Sequence, residues 1–97
     1  MFLIVTYDVE TTDREGRRRL RRVARTCADF GQRVQYSVFE VNIGKTDYVK
    51  LRGRLEKEID IEKDSLRIYH LDSDSRSKIE HIGRGKPRDL EKDVLIL

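Results

Sequence analysis

The chain begins with an apolar run, and a helical pattern follows it. Residues 1–7 form a continuous apolar and β-branched stretch, which is typical of a strand covered on both faces. Thr12 or Asp13 is expected to cap a helix that ends before Gly31, because apolar residues recur between them at helical spacing. These residues are Leu20, Val23, Ala24, Cys27 and Phe30. The pattern predicts a central strand followed by a helix with one apolar face.

Extended and helical patterns alternate again in the second half of the chain. β-forming residues fill 32–43, a stretch too long for one average strand, so it predicts two short strands or a bent hairpin. A second helix is expected from Thr46 or Asp47, and residues 65–71 predict another strand. The apolar positions of this helix are Tyr48, Leu51, Leu55 and Ile59. The order βαββαβ predicts a ferredoxin-like α+β fold, an antiparallel sheet with two helices on one face.

Residues 78–97 extend beyond one such unit. They comprise a predicted fifth strand at 78–82, a basic loop at 83–88 and an apolar tail at 93–97. An apolar tail needs a surface to cover it, and the open face and edges of the sheet offer one to a second copy of the chain. We therefore expect a single domain over residues 1–97 whose C-terminal extension contributes to a strand-exchanged homodimer.

The composition limits the classes of protein that this chain can form. With 97 residues it has room for one domain, and 40% charged residues leave a thin core that dimerisation would enlarge. One cysteine and two separated histidines exclude a disulfide framework and a Cys/His metal cage. No apolar run is long enough to span a membrane, and residues 2–5 lack the flanks of a signal peptide. A soluble, cytoplasmic protein without a membrane partner is expected.

Positive charge is concentrated in the first helix. Seven arginines occur within twelve positions, although the net charge of the whole chain is only +3. This arginine cluster consists of Arg14, Arg17, Arg18, Arg19, Arg21, Arg22 and Arg25. A single-sign stripe of this kind is typical of surfaces that bind the phosphate backbone of RNA or DNA. The alternative is a solvated helix face, which usually mixes both signs of charge.

The candidate for catalytic chemistry is Asp8, at the end of the first predicted strand. A lone carboxylate is weak evidence for a site, and Asp8 also suits a simple turn. A two-fold axis near this strand end would bring the Asp8 residues of two subunits together around one cation. Mg²⁺, or alternatively Mn²⁺, takes one or two carboxylates together with water and phosphate oxygens, and it activates water for attack on a phosphodiester. Asp8 therefore predicts a metal-dependent nuclease that works as a dimer.

Two neighbours of this site have two interpretations each, and a third is a candidate for phosphate binding. Tyr7 either stacks on a base or packs beneath the helices. Ser37 either bonds a phosphate or fills space between strands. Arg33, outside the arginine cluster, is a candidate phosphate clamp because a guanidinium binds phosphate oxygens in a fork.

Several strings in the sequence together resemble a known family. They are Tyr-Asp-Val at 7–9, Arg-Val-Gln-Tyr-Ser-Val-Phe-Glu at 33–40, Asp-Ser-Leu-Arg-Ile-Tyr at 64–69 and the segment 79–83. The chain is similar to the small CRISPR-associated protein of the spacer-acquisition module, which works beside the CRISPR integrase. The resemblance implies a ferredoxin-like, strand-exchanged homodimer that bridges integrase dimers while prespacer DNA lies across its basic surface. It also implies metal-dependent cleavage of single-stranded RNA or duplex DNA.

The resemblance also implies roles for individual residues. The metal-binding aspartate of the family falls on Asp8, and its neighbouring tyrosine falls on Tyr7. The remaining site positions fall on Arg33, Ser37 and Phe39. The arginines of the family's first helix match best at Arg19 and Arg22, although a longer loop after Asp8 prevents a unique match. The tail at 93–97 exceeds the family core and is expected to be an edge strand or an integrase-binding segment.

Two functions from different classes remain open on the sequence alone. One is a Mg²⁺-dependent endonuclease with Asp8 paired across the dimer. The other is a non-catalytic scaffold that binds duplex DNA and the integrase, and the arginine cluster serves both. A ferredoxin-like ribonuclease toxin is a third possibility, whereas the absence of a P-loop and of the RNA-recognition-motif signature excludes ATP chemistry and that RNA-binding class.

Overall fold

Residues 1–71 and 79–85 are described by a computed structural model as one five-stranded sheet with two helices on one face. The strands are β1 (Phe2–Asp8), β2 (Gln32–Gln35), β3 (Val38–Asn42), β4 (Ser65–His70) and β5 (Ile79–Gly83), and the helices are α1 (Arg14–Phe30) and α2 (Lys45–Glu58). The strands lie in the order β2-β3-β1-β4-β5, and every neighbouring pair is antiparallel. The predicted ferredoxin-like α+β fold is confirmed.

Strand β1 lies at the centre of the sheet, as its apolar pattern predicts. Leu3 and Val5 point into the core beneath the helices and are fully buried. Ile4 lies on the opposite face of the sheet, where Tyr69 of β4 is its direct cross-strand partner, and both are also buried. The continuous apolar run is therefore explained by burial on both faces of the sheet.

Helix α1 begins and ends where its sequence signals predict. The Asp13 carboxylate accepts a 2.7 Å hydrogen bond from the Gly16 amide and caps the first turn, which lowers the pKa of Asp13. Val23 and Cys27 are fully buried on its apolar face, and burial raises the pKa of the Cys27 thiol to about 12, so this thiol is inert. The helix ends at Gly31, where a Cβ would lie 2.3 Å from the Glu40 carbonyl oxygen. Only glycine fits this close approach of α1 to β3.

The stretch 32–43 forms the predicted hairpin, and the structure locates its turn at residues 36–37. The register of β2 on β3 shifts between Arg33 and Gln35, so a bulge precedes the turn. The Tyr7 amide donates to the Ser37 carbonyl oxygen at 3.2 Å. This bond fixes the hairpin turn beside the end of β1, where Asp8 lies.

Helix α2 starts slightly earlier than its sequence predicts. Its first residue is Lys45 and its N-cap is Gly44, which offers no side-chain cap, instead of Thr46 or Asp47. The predicted apolar positions are confirmed, since Leu51 and Leu55 are fully buried in the core beneath the helices.

The C-terminal extension is described only in part. Strand β5 pairs with β4 of the same chain, from Tyr69 opposite Ile79 to Ser65 opposite Gly83. Strand exchange between subunits and the homodimer both stay predictions. Residues 86–97, which include the tail at 93–97, lie outside the described residues.

A buried ion pair joins the helix and loops around the end of β1. Asp64, fully buried just before β4, accepts hydrogen bonds from Arg19 Nε at 2.9 Å and Arg19 Nη2 at 3.3 Å. It also accepts from the amides of Glu10 at 3.0 Å and Asp60 at 2.9 Å. Burial by itself raises the pKa of Asp64, but the bonds from Arg19 and the two amides outweigh it and hold this pKa below its usual range. One carboxylate therefore connects α1, the loop after β1 and the loop before β4.

We expect Asp64→Asn to destabilise the protein by about 3 kcal/mol, because the change leaves the buried Arg19 guanidinium without its counter-charge. Urea unfolding followed by circular dichroism measures the free energy of unfolding. The control is Glu15→Gln, which removes an exposed contact to Arg18 at 3.4 Å and is expected to change stability by less than about 0.5 kcal/mol. A loss below about 1 kcal/mol in Asp64→Asn would contradict the importance of this pair.

The same variant is expected to respond differently to acid. The pKa of Asp64 is lowered in the folded state, so its stabilisation is fully present above about pH 4, the unfolded pKa, and is lost as the pH falls through the folded pKa. Asp64→Asn should therefore lose less stability than the wild type between pH 4 and pH 2.

Candidate nucleic-acid site

A groove of about 400 Å³ lies at the end of β1, between α1 and the turn that joins β2 to β3. Its walls include four of the five predicted catalytic residues, all except Phe39, together with side chains of α1. The lining comprises Tyr7, Asp8, Val9, Thr11, Leu20, Arg21, Ala24, Arg33, Tyr36 and Ser37. The fold therefore brings Asp8, Arg33 and Ser37 together from three separate elements or turns.

Asp8 is the exposed carboxylate of this groove. It is the last residue of β1 and its side chain is 76% exposed. Among the residues that the structure describes, its ion-pair partner is Arg84, whose Nη2 lies 3.6 Å from Asp8 Oδ2. A carboxylate in this position is open to a metal ion or to a second molecule.

Arg84 is a site residue that the sequence analysis did not single out. Its amide donates to the Asp64 carbonyl oxygen at 2.7 Å, and its Nε donates to the Lys63 carbonyl oxygen at 2.9 Å. Gly83 makes this possible with a φ of +101°, and a Cβ there would lie 2.2 Å from the Asp64 carbonyl oxygen. The only sequence signal was the basic loop at 83–88, which does not identify a partner for Arg84.

Arg33 rests on the Phe39 ring beneath the groove, and Tyr7 stacks on Phe39. The Arg33 guanidinium lies 5.1 Å from the centroid of the Phe39 ring, and the Tyr7 and Phe39 rings have centroids 6.2 Å apart. Phe39 is fully buried and Tyr7 is 6% exposed. These positions correct the expected catalytic roles of Tyr7 and Phe39: the Phe39 ring supports Arg33, and Tyr7 packs beneath the helices instead of stacking on a base.

The Tyr7 hydroxyl has a structural partner of its own. It donates to the Tyr36 carbonyl oxygen at 3.4 Å. Burial raises the pKa of Tyr7, and a hydrogen bond from the nearby Arg33 side chain opposes this only in part. The hydroxyl is therefore protonated at neutral pH and cannot serve as a general base.

The arginine cluster divides into exposed and buried members. Arg18, Arg21, Arg22 and Arg25 line a shallow concave surface of about 560 Å³ on α1, which we call the arginine face. Arg14 and Arg17 are exposed as well. Arg21 also lines the groove, so the positive surface is continuous from the arginine face to Asp8.

Arg19 differs from the other members of the cluster. Its guanidinium is buried against Asp64, and this contact raises the pKa of Arg19 above its usual value. The prediction that Arg19 binds nucleic acid is therefore corrected, because its donors face the protein interior.

The metal-ligating capacity of one chain is small. Within residues 1–71 and 79–85, no three His, Cys, Asp or Glu side chains are grouped to hold a metal ion. Asp8 alone still suits Mg²⁺, which binds proteins through as few as one or two carboxylates and keeps its remaining positions for water and phosphate. No helix among these residues is long and apolar enough to cross a membrane.

Comparison with known proteins identifies the family. Residues 1–79 match the family model described as CRISPR associated protein Cas2. The chain belongs to the Cas2 family. The resemblance drawn from the short strings of the sequence is confirmed, and the matched residues include strands β1 to β4, both helices and the groove.

Two curated relatives and one solved structure illustrate the similarity. The CRISPR-associated endoribonuclease Cas2 of Chlorobaculum tepidum is 51% identical over 96 residues, 99% of this chain and 100% of the relative. The CRISPR-associated endonuclease Cas2 of Halalkalibacterium halodurans is 46% identical, over 98% of this chain and 99% of the relative. The crystal structure of Streptococcus pyogenes Cas2 at pH 6.5 is 44% identical, with a TM-score of 0.70, over 86% of this chain and 100% of that chain.

We expect the double variant Arg21→Glu/Arg22→Glu to bind duplex DNA and RNA at least about tenfold more weakly at low salt, because each reversal removes a phosphate contact and adds repulsion. Fluorescence anisotropy across a salt series measures the affinity, and the salt slope should fall by nearly one for each lost phosphate contact.

The matched control is Lys50→Glu/Lys57→Glu on α2, which reverses two exposed cations that line neither the groove nor the arginine face. Arg19 is left intact because replacing it would leave Asp64 buried without its counter-charge. Equal losses in the two double variants would show that net charge, and not the arginine face, governs binding.

Proposed function

We propose that the protein is a metal-dependent CRISPR endonuclease that hydrolyses phosphodiester bonds of RNA or DNA in the groove at Asp8. The observation that carries this proposal is the exposed Asp8 carboxylate at the meeting point of Arg21, Arg33 and Arg84. The Asp8 carboxylate is suited to bind a cation, and the surrounding guanidiniums are suited to bind a phosphate at the same time. The names of the relatives, endoribonuclease and endonuclease, support the same reaction class.

The arginines and Ser37 are the residues suited to bind the substrate. Arg33 is preorganised because its guanidinium rests on the Phe39 ring, so little freedom is lost when it clamps a phosphate. The Ser37 hydroxyl lines the same groove and is suited to donate to a phosphate oxygen. Arg21 connects the groove with the arginine face, along which the flanking phosphates continue.

The metal is proposed to be Mg²⁺, with Mn²⁺ as a substitute. Asp8 would hold it, and a second copy of Asp8 from the other subunit of a homodimer would share it. When bound, the ion supplies a water of lowered pKa and neutralises charge on the phosphate. Asp8 must first leave its contact with Arg84, which frees that guanidinium for the substrate phosphate.

The homodimer is part of this proposal and so is the role beside the integrase. Neither described helix packs on the sheet face that contains Ile4 and Tyr69, and Phe2 and Leu71 are large apolar residues with substantial exposure. A second subunit packed there would bury them and enlarge a thin core. Bridging of the integrase and binding of prespacer DNA are proposed from the resemblance to the spacer-acquisition protein.

A non-catalytic scaffold is the second candidate, and the arginine face favours it. Four of the arginines lie on a concave surface that extends away from Asp8, which is more cationic surface than one scissile phosphate needs. In this case duplex DNA binds along α1 and Asp8 is dispensable. The ribonuclease toxin has no observation in its favour once the family is known.

We expect purified protein to cleave labelled single-stranded RNA or duplex DNA with Mg²⁺ or Mn²⁺, and Asp8→Asn to reduce cleavage to the level seen with EDTA, because the amide is a poor metal ligand. Gel analysis of the products measures the rate, and light scattering should give twice the chain mass of 11.5 kDa.

Asp47→Asn is the matched control, since Asp47 is an exposed carboxylate in the first turn of α2. It should cleave like the wild type. Metal-dependent cleavage that survives in Asp8→Asn would refute the catalytic assignment, and absence of cleavage in every sample would favour the scaffold.

Arg84→Ala is expected to have two opposite effects. Substrate binding should weaken because a phosphate contact is lost, whereas the metal concentration for half-maximal activity should fall by up to about fivefold because Asp8 loses a competing exposed ion pair. Metal titrations of cleavage, together with Mn²⁺ binding in the absence of substrate, measure the two effects separately. Lys63→Ala, which removes a neighbouring exposed cation, should leave the metal titration unchanged; a metal requirement that rises in Arg84→Ala would contradict the competition.

A further inference from the structure

We infer that Tyr36 forms a base-stacking subsite that makes the groove prefer unpaired nucleotides over duplex. The inference rests on the proposed binding of nucleic acid in the groove at Asp8, and it adds a residue that selects the form of the substrate. Tyr36 lies in the turn between β2 and β3 and forms part of the groove wall together with Asp8, Arg33 and Ser37.

Tyr36 is exposed to an unusual degree. Its relative exposure is 93%, so both faces of its ring are in water. The other three tyrosines of the chain differ: Tyr7 and Tyr69 are buried, and Tyr48 is half-buried with its hydroxyl bonded to Glu80. An aromatic ring usually buries its large apolar area within the fold. Within residues 1–71 and 79–85, nothing covers the Tyr36 ring, so it is available to a binding partner.

The backbone of Tyr36 is held in place although its side chain is exposed. Its carbonyl oxygen accepts the Tyr7 hydroxyl at 3.4 Å, and the next carbonyl oxygen, of Ser37, accepts the Tyr7 amide at 3.2 Å. Both bonds connect the turn to the residue that precedes Asp8. The backbone that carries the ring is therefore fixed close to Asp8. Only the two side-chain torsions of Tyr36 lose freedom when a base binds.

Charge at the site identifies the partner as nucleic acid. Arg33 lies three residues before Tyr36 and lines the same groove, and the guanidinium is directed by its contact with Phe39. A phosphate clamp beside a free aromatic ring is the arrangement that binds the phosphate and the base of single-stranded nucleic acid.

Stacking on Tyr36 distinguishes single strands from duplex. Every base has a π-face, so the subsite accepts any sequence, and one stacked base is worth roughly 5- to 150-fold in affinity. Bases inside a duplex are already stacked on their neighbours and offer the ring no free face. Arginine contacts to phosphates are available in both forms, so Tyr36 is the residue that separates them.

The test measures binding without cleavage. In an Asp8→Asn background, Tyr36→Ala and Tyr36→Trp are compared by fluorescence anisotropy on a single-stranded oligonucleotide and on the duplex of the same sequence. Tyr36→Ala should weaken single-strand binding roughly 5- to 150-fold and duplex binding less than about twofold, whereas Tyr36→Trp should retain or improve single-strand binding. Because no strand is cut, the result does not depend on whether the protein is a nuclease.

A second readout reports stacking directly. The fluorescence of 2-aminopurine in the single strand should be quenched when Asp8→Asn protein binds, and the quenching should be lost in Tyr36→Ala. Val34→Ala, at an exposed apolar position of β2, is the matched control, and the quenching should be retained in this variant. If Tyr36→Ala weakened binding of the single strand and of the duplex equally, the inference would be overturned. It would also be overturned if the Asp8→Asn protein bound a strand with abasic sites as tightly as the intact strand. A change in scattering mass in Tyr36→Ala would overturn it as well, since the ring would then pack against a second copy of the chain.

Discussion

The buried pair of Arg19 and Asp64 is the interaction on which the candidate site depends. The Asp64 carboxylate neutralises Arg19 and accepts a hydrogen bond from the amide of Glu10, two residues after Asp8. The Asp64 carbonyl oxygen accepts a hydrogen bond from the amide of Arg84. The carboxylate of the site and the guanidinium beside it are thus both positioned through one buried residue. Removing either member of the pair leaves a buried charge without a partner, so its effect extends to the whole end of the sheet.

Arginine has three different functions in this small protein because its surroundings differ. Arg19 lies four residues before the buried Val23, so it shares the inner face of α1 and supports the fold. Arg21 and Arg22 are rotated away from that face and remain in water, where they suit phosphate. Arg33 is exposed but directed by an aromatic ring. The number of arginines indicates a positive electrostatic potential. The position of each arginine around the helix, and the residues that pack against it, decide which of them can contact a nucleic acid.

The aromatic residues near the groove divide in a similar way. Phe39 and Tyr7 are buried and support Arg33 and the hairpin turn, while Tyr36 extends from that turn into water. All three occur in the short strings that mark the Cas2 family, and the resemblance to that family predicted site roles for the two buried ones. Alternation along a strand predicts faces only where pairing is regular, and here a bulge between Arg33 and Gln35 and a turn interrupt it.

The sequence by itself determined the order of the elements, the central position of β1, the apolar faces of both helices, the cationic character of α1 and the family. These properties depend on local periodicity and on short strings of residues, and each such signal lies within a single stretch of the chain. Only the tertiary structure decided that Arg19 meets Asp64, that Arg84 lies beside Asp8 and that Tyr36 is exposed at the groove. Each of these depends on residues distant in the chain, which the sheet topology brings together and which no local pattern records.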